Sequence, residues 1–473
     1  MARPHRSENN ENFDLRVLRA SAVDSFCEFP ASTLVSRIRE KLAGLYYGWR
    51  MIGVVSALRI LGGGLHQYGF TVFFLPVTNE LGLSRAATSL AFSLARAQGS
   101  FASPLVGYLV DRYGPKPMMI TAAFLAGIGY ILFSRIYDYT SFLIVYLGVI
   151  SVSFTAGFVH APTIVANSWF IRLRARAMTV VSAAVPIGGA IITPALAVLI
   201  RTMGWRHAAL ISGVLFLLIG VPLTLMVRKS PESVGLAPDG EPLERAESTR
   251  SGDASKSTAN GDRNVTAMQA LRSPIFWTLI VSMTARSAAF TTVTTHFIPI
   301  MVWKGLSQTE ASVLLAGFAL VNLPIHFLLG WIGDFVNKPK LTAICMFLGM
   351  ISVLPMQWTG SLWALWFFTC LYSVLDASIP VFWAAVGDFF GRKSFGTIRG
   401  NMNLFYTWGS ILGPFIAGAV YDRTQSYQMV FAGITVALLI STTMTALLIK
   451  PWANLETSAR MRSNRTVLLN RMR

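Results

Sequence analysis

Arginines inside apolar segments are the residues of this sequence best placed to do chemistry. Arg59 and Arg286 each lie near the middle of a long apolar run. A charge at membrane depth costs roughly 2.5–3.5 kcal/mol on insertion scales, so each of these arginines needs a partner or a function. A guanidinium is a planar fork that a carboxylate matches with two hydrogen bonds, so two such arginines suit a carboxylate clamp. Pairing with a helix carbonyl or with Asp376, for packing alone, is the alternative reading.

Other polar side chains lie at similar depth. His66 follows Arg59 by seven residues, which puts both on one helix face, and Gly62 to Gly64 leave room for a ligand or a neighbouring helix. His160 lies on a polar stripe and either contacts an anion, carries a proton or packs. Arg96 suits substrate binding and an interhelical pair equally. The remaining candidates for substrate contact are Tyr372 and Trp383, which share a helix face with Asp376.

Asp376 is the clearest acid at membrane depth. Burial and a nearby arginine act on its protonation in opposite directions, so it can switch when an anion competes for that arginine. This predicts proton coupling through Asp376. A fixed counter-ion for Arg59, Arg96 or Arg286 is the alternative.

Composition indicates a helical membrane protein. The 473 residues are 53% hydrophobic and 13% charged, and apolar runs of about 20 residues recur along the chain. The net charge of +18 comes from Lys and Arg between the runs, so we expect membrane lipid and no nucleic acid as a partner. The three cysteines are too scattered for a metal site, and the glycine-rich stretch 61–65 lacks the Lys-Ser/Thr pair of a phosphate loop. We therefore expect neither a cofactor nor an enzyme.

The apolar runs predict twelve spans, at 49–76, 86–110, 117–136, 141–167, 177–201, 205–228, 274–302, 308–332, 340–358, 361–386, 396–421 and 426–449. They divide the chain into an N-terminal tail (1–46), a six-helix bundle (47–228), a linker (229–272), a second six-helix bundle (273–450) and a basic tail (451–473).

The distribution of charge predicts the orientation. Basic residues crowd the turns on one side, namely Arg112, Lys116, Arg172, Arg174, Arg176, Lys338, Lys340, Arg392, Lys393 and Arg399. The opposite turns carry single basic residues. The crowded side is therefore expected to be cytoplasmic, with both termini on it, in a multi-pass protein of the plasma (inner) membrane.

The two halves repeat. Pro76 and Asp111 have counterparts in Pro299 and Asp334, both at an offset of 223 residues (299 − 76 and 334 − 111). Gly107 and Gly330 share the same offset. A constant offset across several spans predicts two six-helix halves that descend from one duplicated unit.

The turn Gly107–Met119 joins spans 2 and 3 and reads as a cytoplasmic gate. Its candidate residues are Gly107, Asp111, Arg112, Gly114 and Lys116. They resemble the loop between helices 2 and 3 of the major facilitator superfamily, although Pro115 departs from the usual basic residue.

The second half supplies two further gate candidates. In its copy of the turn, Asp334 is followed by Phe335 where the first copy has an arginine, which would leave the first turn as the main latch. Asp388 is expected to form a gate ion pair near Arg392 and Lys393.

Further stretches resemble the branch of that superfamily that holds monocarboxylate transporters and oxalate–formate antiporters. They are Gly82–Arg85, Trp169–Phe170, Pro231–Gly240 and Gly391–Gly396, within a resemblance over residues 47–450. It implies an all-α membrane protein with twelve transmembrane helices in two pseudo-symmetric six-helix bundles. It also implies alternating access, a cavity lined by spans 1, 4, 7 and 10, and a small organic anion as substrate.

The sequence therefore predicts a secondary active transporter of a small organic anion, a carboxylate, coupled to protons or to a counter-anion. A multidrug-type exporter of amphipathic compounds is the nearest alternative, favoured by Trp363, Trp366 and Trp383. A membrane sensor or scaffold that transports nothing is a third hypothesis.

Overall fold

The computed structural model describes residues 46–83, 85–240, 265–358 and 360–449. The predicted tails, apart from the last residue of the first, and most of the predicted linker lie outside these ranges. The regular elements within them are helices. We number the membrane-crossing segments as spans 1 to 12 in chain order.

The N-terminal half contains spans 1 to 6. Gly204, with φ of 81°, breaks one long helical run and so separates span 5 from span 6. The six spans are span 1 (Tyr47–Gly62, Gly63–Gln67 and Gly69–Glu80), span 2 (Arg85–Tyr113), span 3 (Pro115–Phe133), span 4 (Tyr139–Trp169) and spans 5 and 6 in Arg174–Leu225.

The C-terminal half contains spans 7 to 12. A short helix, Ala267–Leu271, precedes them and begins with a capping box in which Thr266 and Gln269 bond reciprocally. The six spans are span 7 (Pro274–Thr295 and Phe297–Trp303), span 8 (Gln308–Ile332), span 9 (Lys338–Val353), span 10 (Leu362–Phe390), span 11 (Phe395–Thr424) and span 12 (Gln428–Leu447).

The predicted fold class is confirmed. Eight helical segments of the described chain are long and apolar enough to cross a membrane, and one of them contains both span 5 and span 6. Spans 1, 2 and 7 are not among the eight, and they are the spans that carry Arg59, Arg96 and Arg286.

Glycines hold the two halves in close contact at related positions. A methyl group on Gly107 of span 2 would lie 2.1 Å from the carbonyl oxygen of Gly396 in span 11. At the equivalent place in the second half, a methyl group on Gly330 of span 8 would lie 2.3 Å from the Thr179 hydroxyl of span 5. The repeat inferred from the sequence therefore reappears as two matched helix crossings.

An acid from each half also caps a helix of the other half. Asp111 accepts hydrogen bonds from the amides of Gly396 (2.9 Å) and Thr397 (2.7 Å) at the start of span 11. Asp334 accepts one from the amide of Ala175 (2.9 Å) at the start of span 5. A carboxylate at a helix N-terminus is favoured because the free amides and the helix dipole are both positive there.

The second turn also contacts the opposite half, and the expectation that the first turn is the main latch stays a prediction. The Nε of Arg176 lies 3.0 Å from Asp334. Phe335, which replaces the arginine of the first turn, lies under the guanidinium of Arg176 at 5.0 Å. The basic residue at this turn is therefore Arg176, which comes from span 5 of the opposite half. Arg112, by contrast, is exposed and donates to Tyr108 within its own span.

Asp388 forms ion pairs as expected, but its partners differ from those predicted, and its role as a gate stays a prediction. Its carboxylate pairs with Arg174 of span 5 (2.5 Å) and with Lys338 of span 9 (2.7 Å). Arg392 pairs elsewhere, with Glu232. These contacts gather at one end of the bundle, which we call the basic face, and they close the halves against each other there. Gly114 and Lys116 line a surface cavity of about 290 Å³ on the same face.

The tight crossing of spans 2 and 11 predicts the effect of a single methyl group. Gly107→Ala is expected to destabilise the closed bundle by about 1–3 kcal/mol, because the clash is with backbone that cannot rotate away. Thermal unfolding of the purified protein in detergent measures the change. Gly148→Ala is the matched control, since a methyl group there meets nothing within 4 Å. Equal behaviour of the two variants would contradict the role of the crossing.

The Asp334 contact predicts a pH dependence. Burial raises the pKa of Asp334 from 3.8 to about 6, against the lowering effects of the Ala175 amide and of Lys338 and Arg176. The buried state is therefore favoured when the acid is protonated, and this contribution declines as pH rises from 3.8 to about 6. Hydrogen exchange at the Ala175 amide, corrected for the intrinsic rate, should show less protection at pH 7 than at pH 5. Asp334→Asn should remove that difference, and a difference that persists in the variant would disprove the assignment.

Candidate functional site

Span 1 presents Arg59 through an irregular helix. The turn Gly63–Gln67 is π-helical. Its glycines face span 5, since methyl groups on Gly63 and Gly64 would lie 2.6 Å from Val185 and 2.4 Å from Ile192. These glycines therefore make room for a neighbouring helix. Arg59 is half-buried, and its buried Nε has no hydrogen-bond partner.

His66 lies in an aromatic cluster of the N-terminal half. Its ring stacks on Phe154 with centroids 3.7 Å apart, and its Nδ1 lies 3.2 Å from the hydroxyl of Tyr130. That hydroxyl donates to the carbonyl of Leu65. These contacts show that the His66 ring packs within the aromatic cluster. Substrate binding by His66 stays a prediction.

Arg286 is paired within the C-terminal half. It is 1% exposed, its Nη2 donates to the carbonyl of Leu375 at 2.8 Å, and it lies 3.7 Å from Asp376. The ring of Phe290 lies 5.3 Å from the guanidinium and stacks with the ring of Tyr372, whose hydroxyl has no hydrogen-bond partner. A carbonyl and an acid thus contact Arg286, while its buried Nε has no hydrogen-bond partner, and the clamp of Arg286 with Arg59 stays a prediction.

Asp376 holds two polar partners and keeps contact with solvent. Besides Arg286, the amide of Asn322 in span 8 donates to it at 3.3 Å. Its side chain remains 24% exposed. It also interacts electrostatically with Tyr68 of span 1, which lies in the opposite half. The acid therefore lies where the two halves face each other.

Arg399 of span 11 is a central residue that the sequence reasoning assigned to the crowded basic turns. It is 7% exposed, and it donates to the carbonyls of Val159 (3.0 Å) and His160 (3.4 Å) in span 4. Its guanidinium lies 4.7 Å from the ring of Trp383, and its Nε has no partner. Arg399 and Asn403 are four residues apart and therefore share one face of the span 11 helix. This pair of polar residues on one face is the signal in the sequence that could have placed Arg399 inside the bundle.

His160 joins this region to both halves. It is 1% exposed, and its Nε2 lies 3.0 Å from the hydroxyl of Ser103 in span 2. The amide of Asn403 in span 11 donates to the same hydroxyl at 2.6 Å. The Nδ1 of His160 has no partner.

Two arginines from opposite halves, Arg59 and Arg399, form what we call the central cation cluster, and His160 lies beside them. Arg59 interacts electrostatically with Arg399, and His160 interacts with both. No acid pairs with Arg59 or Arg399 among the described residues. Each member leaves one buried nitrogen without a hydrogen-bond partner. Unpaired buried charge and unmade hydrogen bonds are both costly, so a bound anion would stabilise such a cluster.

Arg96 stands apart from the cluster. It is exposed on span 2, and its charge acts on Tyr146 of span 4. Its predicted contact with substrate stays a prediction. Across the described ranges, no group of three or more His, Cys, Asp or Glu is arranged to hold a metal ion.

The chain is similar to known transporters in sequence and in fold. The chain is 22% identical to the human (Homo sapiens) Monocarboxylate transporter 11 over 81% of this chain and 79% of that protein. It is 24% identical to the Oxalate:formate antiporter of Oxalobacter formigenes over 59% of this chain and 62% of that one. Its fold is similar to the crystal structure of the Escherichia coli fucose:proton symporter, with a TM-score of 0.66, 14% identity, and coverage of 84% of this chain and 98% of that one.

A family model covers both halves of the chain. The model described as Major Facilitator Superfamily matches residues 45–304 and again residues 294–468. Together the two matches cover both halves, and they overlap at the end of span 7. The chain therefore belongs to the Major Facilitator Superfamily of membrane transporters.

Proposed function

We propose that this transporter moves a small organic anion, a carboxylate, by alternating access. The observation that carries the proposal is the central cation cluster, in which Arg59 and Arg399 come from opposite halves and have no acid partner among the described residues. An anion bound by both arginines ties the halves together at one point. Binding and rocking of the halves are then linked, as ligand-driven shifts between two states require.

The relatives support the class of substrate. Their names describe carriers of monocarboxylates and of oxalate and formate, which are all small organic anions. A carboxylate also fits the chemistry of the cluster, because guanidinium and carboxylate form two parallel charge-assisted hydrogen bonds.

The proposed conformation opens toward the side opposite the basic face. The capping acids Asp111 and Asp334 and the ion pairs of Asp388 join the halves at the basic face. If that face is cytoplasmic, as the positive-inside bias predicts, the structure represents an outward-facing state with both termini in the cytoplasm. Substrate then reaches the cluster from outside.

The aromatic residues give little support to the alternative of an exporter of amphipathic compounds. Trp363 is 87% exposed in the first turn of span 10, which is typical of an aromatic anchor at the membrane surface. Trp383 lies beneath Arg399. If hydrophobic cations inhibit transport and carboxylates do not, the result would favour the exporter.

The cluster predicts large effects of neutralising its arginines. Arg59→Gln and Arg399→Gln should each raise the Kd or KM for the transported carboxylate about 10- to 100-fold, because each removes a charge-assisted hydrogen bond worth about 1.5–3 kcal/mol. Uptake into proteoliposomes of a panel of labelled mono- and dicarboxylates measures KM. Ligand-induced thermal shifts give Kd independently.

Two variants serve as controls for the arginine test. Arg59→Lys keeps the charge but loses the fork, so an intermediate KM is expected. Arg201→Gln removes an exposed arginine at the far end of span 5 and should leave KM unchanged. An unchanged KM in both Arg59→Gln and Arg399→Gln would refute the clamp.

We further propose that Asp376 couples transport to protons. It is partly exposed, and it contacts Arg286 and Asn322, so its protonation changes the charge of a group that faces the other half. Anion exchange with Asp376 as a fixed counter-ion of Arg286 is the competing mechanism.

Asp376→Asn separates the two mechanisms. We expect the variant to keep exchange of labelled for unlabelled anion, because the neutral amide resembles the protonated acid, and to lose accumulation driven by a pH gradient. Asp422→Asn is the control, since its carboxyl group is exposed at the other end of the C-terminal half. Accumulation that still follows the pH gradient in Asp376→Asn would rule out its role as the proton carrier.

A further inference from the structure

The segment after span 6 is folded rather than open. Residues 231–240, which we call the strap, contain the 3₁₀ turns Pro231–Val234 and Pro238–Gly240. Pro231 and Ala237 are buried. The predicted linker therefore begins with ten residues packed on the basic face.

Asp239 attaches the strap to the turn between spans 4 and 5. Its Oδ2 accepts hydrogen bonds from the amides of Ile171 (3.0 Å) and Arg172 (2.8 Å), and its Oδ1 accepts one from Leu173 (3.3 Å). These amides directly precede the helix that starts at Arg174. Asp239 has φ of 59°, a conformation that L residues adopt rarely. The three hydrogen bonds explain why this backbone conformation persists.

Glu232 attaches the same strap to the C-terminal half. Its carboxylate lies 3.0 Å from Nη2 of Arg392, in the turn between spans 10 and 11. The Nη1 of Arg392 donates to the carbonyl of Ser168 at 2.8 Å, again across the halves. Arg392 is thus held by the end of span 4 and by the strap together, and its side chain is only 12% exposed.

The helix that follows the turn capped by Asp239 begins with residues that contact the other half. Arg174 pairs with Asp388, and Arg176 and the Ala175 amide contact Asp334. The strap therefore fixes the position of the residues through which the N-terminal half reaches the C-terminal half. Separation of the halves at the basic face has to break the Arg392 contacts with Glu232 and Ser168.

We infer that the strap is a latch of the transport cycle, in which Asp239 and Glu232 are positioning residues that hold the basic face closed. The inference rests on the alternating-access part of the proposed function and not on the identity of the substrate. Weakening either residue shifts the population toward the state that is open at the basic face, and the affinity for substrate from the opposite side falls with the closed fraction.

Hydrogen exchange of the full-length protein in nanodiscs, without substrate, tests the latch. In Glu232→Gln the amides of Ala175, Gly396 and Thr397 should exchange about fivefold faster, the effect of losing one partly exposed ion pair. None of these amides touches the strap, since they bond to Asp334 and Asp111. Asp239→Asn should accelerate the same amides and also those of Ile171, Arg172 and Leu173.

The outcomes separate a latch from a local cap. Faster exchange confined to Ile171, Arg172 and Leu173 in Asp239→Asn, with unchanged gate amides in both variants, would overturn the proposal. Asp422→Asn provides the matched loss of one exposed carboxylate and should change none of these amides. Because no substrate is present, failure of the latch is distinguishable from failure of the anion assignment, which the Arg59 and Arg399 variants test by KM.

Discussion

The structure depends on an exchange of helix caps between its two halves. Asp111 of the first half caps the start of span 11, and Asp334 of the second half caps the start of span 5. Each acid lies four residues after a glycine, Gly107 or Gly330, that lets the same helices cross in contact. The acid attracts the start of the opposite helix through hydrogen bonds, and the glycine, which has no side chain, allows the two helices to approach closely. Ion pairs such as that of Asp388 with Arg174 and Lys338 add charge to a contact that backbone groups already define.

Above this closed face, charge is distributed unevenly between the halves. The C-terminal half pairs its own arginine, Arg286, with Asp376 and a carbonyl. Arg59 of the N-terminal half has no such partner among the described residues, and it faces the charge of Arg399. Two like charges repel, and the proposed anion would offset that repulsion when it binds between them. The C-terminal half therefore contains an arginine paired with an acid, whereas Arg59 and Arg399 leave a positive charge where the two halves meet.

Much of the fold could be read from the sequence because the fold follows from local signals. Apolar length located the spans, and the offset that links Gly107 to Gly330 and Asp111 to Asp334 revealed the duplication. These features depend on one segment at a time or on two related segments. The positive φ at Gly114, next to Pro115, likewise marks a tight turn that a sequence pattern can indicate.

The site was harder to predict because its contacts join distant segments. Arg399 lies near the start of span 11 and reads as one more basic residue of the adjacent turn, although its side chain extends inward to span 4. Asp388 is closest in sequence to Arg392, yet Arg174 and Lys338 reach it from two other spans. The sequence allows both a pair of Arg286 with Asp376 and a clamp of Arg286 with Arg59, and only the three-dimensional packing shows that Arg286 and Asp376 lie 3.7 Å apart.

The position of the strap in the chain has a consequence for biosynthesis. Residue 240 precedes every span of the second half, so Asp239 leaves the ribosome before those spans and can reach the amides of Ile171, Arg172 and Leu173 first. The acids Asp334 and Asp388, which later contact the same region, emerge only with the second half. A newly inserted first half can therefore shield these backbone donors on its own, which gives it a defined surface on which the second half assembles.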